Sequence, residues 1–253
     1  MSALSIRSLS KAFGGVHAVR DVSFDIKPGE FLAMIGPNGA GKSTCFNMIN
    51  GQLKPDSGEI RLGERDIAGL HPRDIWRLGV GRTFQVAATF GSMTVAENVQ
   101  MALLSHHNEL YKLWPAAASL HRERALALLD QVGMKAEADR ASRELAYGDV
   151  KRIELAIALA NDPKLLLMDE PTAGMAPRER NDLIALVKRL VVERGISVLF
   201  TEHSMDVVFA FADRVIVLAR GSLIADGTAA EIRDDPKVRE VYFGTGKTFA
   251  VQP

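Results

Sequence analysis

A glycine-rich segment that follows an apolar run holds the residues best suited to chemistry. After the apolar run Phe31–Ile35, the sequence reads Gly36-Pro37-Asn38-Gly39-Ala40-Gly41-Lys42-Ser43-Thr44 and continues into a helical pattern. Glycines let the backbone approach phosphate oxygens closely, and successive N–H groups at a helix start attract anions. Lys42 is placed to reach the β and γ phosphates of a nucleoside triphosphate, and the Ser43 hydroxyl to bind Mg²⁺. The segment therefore predicts a phosphate-binding loop.

Polar residues also follow two other apolar runs. Asp169 and Glu170 follow the run 165–168, and His203 lies just beyond the run 196–200. Parallel sheets bind ligands at the carboxyl edge of their strands, so we expect these groups near the phosphates. Asp169 is suited to anchor Mg²⁺ through water, Glu170 to activate an attacking water as general base, and His203 to contact the γ-phosphate. The alternatives are a helix N-cap for the acidic pair and an ordinary strand-end polar residue for His203.

Apolar patterns predict the elements that position these groups. Continuous apolar runs at 31–35, 165–168, 196–200 and 215–218 are typical of parallel strands buried on both faces. Between the second and third runs, a helical repeat begins at Pro177 and ends before Gly195. Strand, helix and strand in this order predict a three-layer α/β core.

The first and middle parts of the chain have different patterns. Near the N-terminus, apolar residues alternate with polar ones, which predicts antiparallel strands: Leu4, Ile6, Val22, Phe24 and Ile26. Residues 86–161 predict an all-helical insert with helices at 95–104, 122–132 and 150–160. The predicted division is therefore a core of 1–85 and 162–244, a helical insert of 86–161, and a loose tail of 245–253 that follows a short helix at 235–243.

Composition excludes several classes of protein. The 253 residues have 47% hydrophobic and 25% charged residues and a formal net charge of +0, so they lack the basic excess typical of nucleic-acid binding. One cysteine, Cys45, cannot form an internal disulfide framework, and we expect it to be a small buried helix residue in a reducing cytosol. No apolar run approaches the roughly 18 residues of a membrane span, so we expect no crossing of a membrane unaided.

The order of these parts resembles the ATP-binding cassette (ABC) family of ATPases over residues 4–244. Three more segments support the resemblance: Thr83-Phe84-Gln85, Leu145-Ala146-Tyr147-Gly148-Asp149, and Phe13 in Lys11-Ala12-Phe13-Gly14-Gly15. The resemblance implies an α/β P-loop NTPase (RecA-like) three-layer core with an N-terminal antiparallel β subdomain and an inserted all-helical subdomain. It implies ATP and Mg²⁺ as cofactors.

The resemblance also implies roles for residues in these segments. Gln85 would contact Mg²⁺ and water, and Tyr147 and Gly148 would bind the γ-phosphate held by an opposite subunit. Phe13 would stack on adenine, although a lone Phe is also a common core residue. Lys42, Gln85, Glu170 and His203 would together form the catalytic set.

Two positions depart from the family pattern. Ala146 stands where the family usually has a serine whose hydroxyl would donate to phosphate, and Ala176 stands where it tends to have Asp or Asn. Loss of one hydrogen bond to a charged group costs about 1.5–3 kcal/mol. The phosphate contact across the subunits is therefore expected to be weaker. One hypothesis is that this subunit completes a slower composite site in an asymmetric pair with a different ATPase subunit.

Short segments favour one subgroup of the family. Phe13-Gly14-Gly15-Val16, Leu145-Ala146-Tyr147-Gly148, Glu231-Ile232-Arg233-Asp234-Asp235-Pro236 and Val241-Tyr242-Phe243-Gly244 look most like the ATP-binding subunits of branched-chain amino acid importers, a subgroup that includes urea and short-amide importers. This implies a second ATPase subunit, integral membrane permease subunits, an indirect periplasmic solute-binding protein, no nucleic acid, and the cytoplasmic face of the inner membrane. Permeases would contact a groove near Gln85, Val86, Phe90 and Met93, whose apolar residues could equally be ordinary packing.

Three alternatives remain open. One is the related lipopolysaccharide-export ATPase, and another is a soluble ABC ATPase of DNA repair or translation. The third is a nucleotide-binding regulator that does not hydrolyse ATP, which the presence of both Glu170 and His203 disfavours.

Overall fold

A computed structural model of the protein describes residues 2–83, 89–109 and 120–243. The strands are β1 Leu4–Phe13, β2 Val16–Ile26, β3 Phe31–Ile35, β4 Ser57–Leu62, β5 Arg65–Asp66, β6 Val80–Thr83, β7 Leu165–Asp169, β8 Ser197–Thr201, β9 Arg214–Ala219 and β10 Ser222–Gly227. The helices are α1 Lys42–Ile49, α2 Pro72–Arg77, α3 Val95–His106, α4 Arg122–Gln131, α5 Tyr147–Ala158, α6 Pro177–Arg194, α7 Met205–Phe211, α8 Ala229–Asp234 and α9 Pro236–Phe243.

The described strands form two sheets. The main sheet has the order β10-β9-β3-β8-β7-β6, and its strands are parallel except for β10, which runs antiparallel to β9. The second sheet has the order β2-β1-β4-β5 and is antiparallel. Both the parallel runs and the antiparallel N-terminal strands predicted from the sequence are confirmed.

The main sheet is the middle one of three layers. On β3, Phe31, Ala33 and Ile35 join a core formed with helices that include α3, α5 and α6. Leu32 and Met34 join the opposite core, formed with α1 and the antiparallel sheet. Every residue of β3 is buried because successive side chains of a strand point to opposite faces.

The middle of the chain is helical where the structure describes it. Within 89–109 and 120–161 there are three α-helices, two short 3₁₀ turns at Lys135–Glu137 and Ser142–Glu144, and one isolated bridge between Thr94 and Ala141. The helix predicted at 150–160 begins earlier, at Tyr147, after an extended Ala146. Its first turn is polar, so apolar periodicity could not detect it.

The domain division remains a prediction. The boundary between 85 and 86 and the tail 245–253 both lie outside the described residues. The short helix expected at 235–243 is confirmed as α9. Among the described helices, none combines the length and apolar character that a membrane span requires.

Strand β6 was not predicted. It pairs in parallel with β7 along the edge of the main sheet and includes Gly81. A side chain at Gly81 would approach the Ala158 carbonyl oxygen within 2.4 Å, so glycine lets α5 pack directly on this strand. Four residues that include a glycine give little strand signal in a sequence.

Candidate active site

The glycine-rich loop that is predicted to bind phosphate joins β3 to α1. Lys42 begins α1 and is only 7% exposed, and its Nζ donates to the carbonyl oxygens of Gly36 at 2.6 Å and Pro37 at 3.2 Å. Glycines are required here because a Cβ on Gly36 would lie 2.3 Å from the Leu218 carbonyl oxygen. Gly41 adopts φ +104° in addition.

The remaining loop residues line the same turn, with different exposure. Ala40 is buried, Pro37 and Thr44 are half-buried, and Asn38, Gly39 and Ser43 are exposed. Ser43 lies in the first turn of α1, where backbone N–H groups have no intrahelical partner. The loop therefore presents amides and a hydroxyl at its surface, as a phosphate and Mg²⁺ site requires.

The acidic pair and the loop meet at one edge of the main sheet. Burial lowers the pKa of Lys42, and the charges of Glu170 and Asp169 oppose that shift, which puts the ammonium within the electrostatic reach of both carboxylates. This is the juxtaposition expected of strands whose carboxyl ends share an edge.

Asp169 is the last residue of β7 and has two neighbours that hold its carboxylate. Its Oδ1 accepts a hydrogen bond from Thr201 Oγ1 at 2.8 Å, and its Oδ2 lies 3.6 Å from Arg82 Nη2. The Asp169 side chain is 15% exposed, so it can still be reached from the site.

Glu170 turns sharply away from the strand. It adopts a left-handed conformation with φ +48°, which is uncommon for a residue with a side chain. Its N–H donates to Thr201 Oγ1 at 3.0 Å, and its Oε1 lies 2.8 Å from His203 Nε2. When Glu170 is ionised, Nε2 is the donor in that pair. The predicted acid and imidazole are therefore in direct contact.

Three polar neighbours of the pair were not predicted. Thr201 and Glu202 lie directly before His203, and Arg82 is the residue before the last one of β6. Thr201 and Glu202 are 0% and 5% exposed, and both form hydrogen bonds to the loop after β7. Their position beside His203 at a strand end was the available signal. Arg82 had no such signal because β6 itself was missed.

The residues carried over from the resemblance lie in separate places. Phe13 ends β1, is 48% exposed, and has Lys11 Nζ 5.6 Å from its ring centroid. Tyr147 begins α5 and is 46% exposed, and Gly148 lies beside Met175 and Glu179. Phe90 is 57% exposed and Met93 is half-buried. Gln85 and Val86 lie outside the described residues.

The donor set fits Mg²⁺ bound together with a nucleotide. Mg²⁺ prefers oxygen donors, keeps several waters, and is bound by one or two protein oxygens plus phosphates. The Ser43 hydroxyl and the Asp169 carboxylate are such oxygens. Within the described parts of the chain no cluster of three His, Cys, Asp or Glu side chains could hold a metal ion by itself.

Comparison with known families decides the assignment. A model of the ABC transporter family matches residues 19–173, and a model of the branched-chain amino acid ATP-binding cassette transporter matches residues 222–248. The chain belongs to the ABC transporter family. The family resemblance drawn from the sequence is thus confirmed, and with it the ATPase class.

Curated relatives and solved structures agree along nearly the whole chain. The branched-chain amino acid transport ATP-binding proteins LivG of Salmonella typhimurium and BraF of Pseudomonas aeruginosa are 38% and 39% identical, each covering 95% of this chain and 97% of the relative. A nucleotide-free ATP-binding cassette from an ABC transporter superposes with a TM-score of 0.87 at 35% identity, covering 96% of this chain and 100% of that one. A dimeric post-hydrolysis cassette bound to ADP and Pi has a TM-score of 0.76 at 27% identity, covering 89% and 98%. The P-loop NTPase fold is therefore confirmed.

Proposed function

We propose that this ABC ATPase energises the import of branched-chain amino acids or similar small polar solutes through separate permease subunits, and that Glu170 and His203 carry out its hydrolytic step. The contact of 2.8 Å between these two side chains, at the sheet edge that also carries the loop with Lys42, carries the proposal. The match at residues 222–248 and the similarity to LivG and BraF support the solute class.

Each residue of the site has its own role in ATP hydrolysis in this proposal. The backbone of 36–44 and the Lys42 ammonium bind the phosphates, and Ser43 and Asp169 hold Mg²⁺, with Gln85 as a further ligand. Mg²⁺ supplies charge neutralisation at the β and γ phosphates. Glu170 takes a proton from the attacking water as the bond to phosphorus forms and the bond to the β-phosphate oxygen breaks. His203 orients Glu170 and contacts the γ-phosphate.

A second ATPase subunit completes the site in this proposal. Tyr147 and Gly148 lie at the start of α5, where helix geometry favours an anion, and both face the γ-phosphate of the opposite subunit. The dimeric cassette bound to ADP and Pi supports such a partner. Phe13 stacks on adenine. Permeases place the dimer at the cytoplasmic face of the membrane, and a solute-binding protein delivers the solute to them.

The test uses the transporter reconstituted in proteoliposomes with its permeases and solute-binding protein. Glu170→Gln should keep ATP affinity, lower phosphate release by about 10²- to 10⁴-fold, and stop ATP-driven uptake of radiolabelled leucine. The exposed Glu193→Gln serves as the control for loss of one carboxylate. Hydrolysis at the wild-type rate in Glu170→Gln would show that Glu170 is not the general base. ATP hydrolysis without uptake of leucine, isoleucine or valine would exclude branched-chain amino acids as the solute.

A further inference from the structure

Glu202 is a buried carboxylate that connects the two loops of the site. It is 5% exposed and lies between the loop after β7 and the loop after β8. Its Oε1 accepts from the Thr172 N–H at 3.0 Å and from Thr172 Oγ1 at 2.6 Å, and its Oε2 accepts from the His203 N–H at 3.2 Å. Burial of a carboxylate is costly unless hydrogen bonds compensate, so this arrangement needs all of its donors.

The loop after β7 carries Glu170, and the loop after β8 carries His203. Thr172 lies two residues beyond Glu170, and His203 is the next residue after Glu202. Because Glu170 adopts a left-handed backbone conformation, contacts around it must fix its direction. The Glu170 N–H is held by Thr201, and the chain two residues later is held by Glu202.

We infer that Glu202 is a positioning residue that sets the distance between Glu170 and His203. The inference rests on the roles proposed above for those two residues. The Glu202 carboxylate links the backbone N–H of His203 to Thr172, in the loop that carries Glu170. This link fixes the arrangement in which the Glu170 and His203 side chains approach each other. A separate hydrogen bond, from Arg180 Nη1 on α6 to Ser204 Oγ at 2.6 Å, joins the loop after β8 to that helix.

The chemistry of the contact requires a carboxylate rather than an amide. All three groups that face Glu202 donate hydrogens, and an ionised carboxylate offers only acceptors. Glutamine has nearly the same shape, but its NH₂ group must face either Thr172 or the His203 N–H. One loop then loses its acceptor and keeps an unsatisfied donor.

The first experiment measures Glu202→Gln in the assembled transporter beside wild type and Glu170→Gln. A misplaced general base typically costs about 10- to 100-fold in turnover, so we expect kcat to fall by that amount while the Kd for ATP stays within about twofold. Glu30→Gln is the matched control, because Glu30 is also buried, at 8% exposed, and pairs with Arg214 outside the site. It should lower the unfolding temperature without lowering kcat.

A second pair of variants tests the other end of the contact. Thr172→Val removes the hydroxyl donor and should lower kcat, whereas Thr172→Ser retains that donor and should restore kcat to near the wild-type value. The double variant Thr172→Val with Glu202→Gln should be less impaired than the product of the single effects, since both break the same link. The two single variants at Thr172 decide the matter even if Glu202→Gln does not fold.

The outcomes separate this inference from the proposed function. If Glu170→Gln hydrolyses ATP normally, the proposed roles are wrong and Glu202 has no pair to position. If Glu170→Gln is inactive but Glu202→Gln and Thr172→Val keep wild-type kcat, the inference alone is overturned. Equal losses in kcat and in ATP affinity would also overturn it, because they indicate general disorder of the site.

Discussion

The buried Lys42 ammonium has three N–H donors, and two backbone carbonyls accept hydrogen bonds from it. Its Nζ donates to Gly36 and Pro37, and its side chain is almost fully covered. Hydrogen bonds to charged groups contribute about 1.5–3 kcal/mol, so Lys42→Ala should weaken Mg·ATP binding by about 10- to 150-fold. Isothermal titration calorimetry on Lys42→Ala, with the exposed Lys54→Ala as control, measures this.

The expected pattern is opposite to that of Glu170→Gln, which keeps affinity and loses turnover. If Lys42→Ala binds Mg·ATP as tightly as Lys54→Ala does, the lysine makes no net contribution to phosphate binding, and the carbonyl contacts are then its main role. The two variants together therefore separate binding from chemistry at single residues.

Single residues also show which part of the site could be predicted from the sequence. Lys42, Asp169, Glu170 and His203 were found because each follows a recognisable apolar strand, and the structure brings them to one edge. Glu202 was missed because its role depends on Thr172, thirty residues away in the chain. A sequence writes a buried glutamate and an exposed one with the same letter, and only the packing of the folded chain distinguishes them.

Helices and strands were predictable where pattern and end signals agreed. Helix α6 has Pro177 at its first position and Gly195 in the left-handed conformation at its end, as the sequence indicated. Strand β6 and the first turn of α5 were missed because both are short and locally ambiguous. Each has a tertiary contact instead: the strand pairs with β7, and Gly148 in the first turn of α5 lies beside Met175 and Glu179. Local pattern cannot report such contacts.

Among the described helices that begin without a capping side chain, α5 and α6 begin at the two departures from the family pattern. Ala146 precedes α5 and Ala176 precedes α6, each with extended backbone geometry and no side-chain cap. Serine at an N-cap accepts a hydrogen bond from the first turn and adds about 0.5–2 kcal/mol of stability relative to alanine. Both Ala146→Ser and Ala176→Ser should therefore raise the free energy of unfolding, measured by urea denaturation.

Only Ala146→Ser should also increase ATP turnover through a new phosphate contact. The serine oxygen can accept from the helix while its hydrogen is donated to the γ-phosphate of the partner site. Ala176→Ser controls for the stability gain. An unchanged or lower ATPase rate of the assembled transporter with Ala146→Ser would indicate that the site is adapted to alanine, whatever the stability change.

At the scale of the whole molecule, α1 connects the phosphate loop to the core that lies between the main sheet and the antiparallel sheet. This helix begins at Lys42, and Cys45, Phe46 and Met48 pack from it into the core shared with the antiparallel sheet. Cys45 is 0% exposed, and burial raises the pKa of its thiol to about 12. A thiol reagent can therefore modify it only after this part of the molecule opens.

Labelling of Cys45 should accordingly report nucleotide binding. A ligand that binds only the folded site at 100 times its Kd stabilises that state by about 2.7 kcal/mol, which slows an opening reaction roughly 100-fold. We expect Mg·ATP to slow the reaction of Glu170→Gln with a disulfide reagent by this amount. The sequence contains a single cysteine, so no other thiol contributes to the signal.

Two controls locate the effect in the site. Addition of EDTA to remove Mg²⁺ should restore most of the labelling rate, and Lys42→Ala should show little protection at the same ATP concentration. If saturating Mg·ATP leaves the rate unchanged, Cys45 becomes exposed by an opening that keeps the phosphate loop intact. The antiparallel sheet would then separate from α1 as its own unit, and the two cores would unfold independently rather than through the nucleotide site.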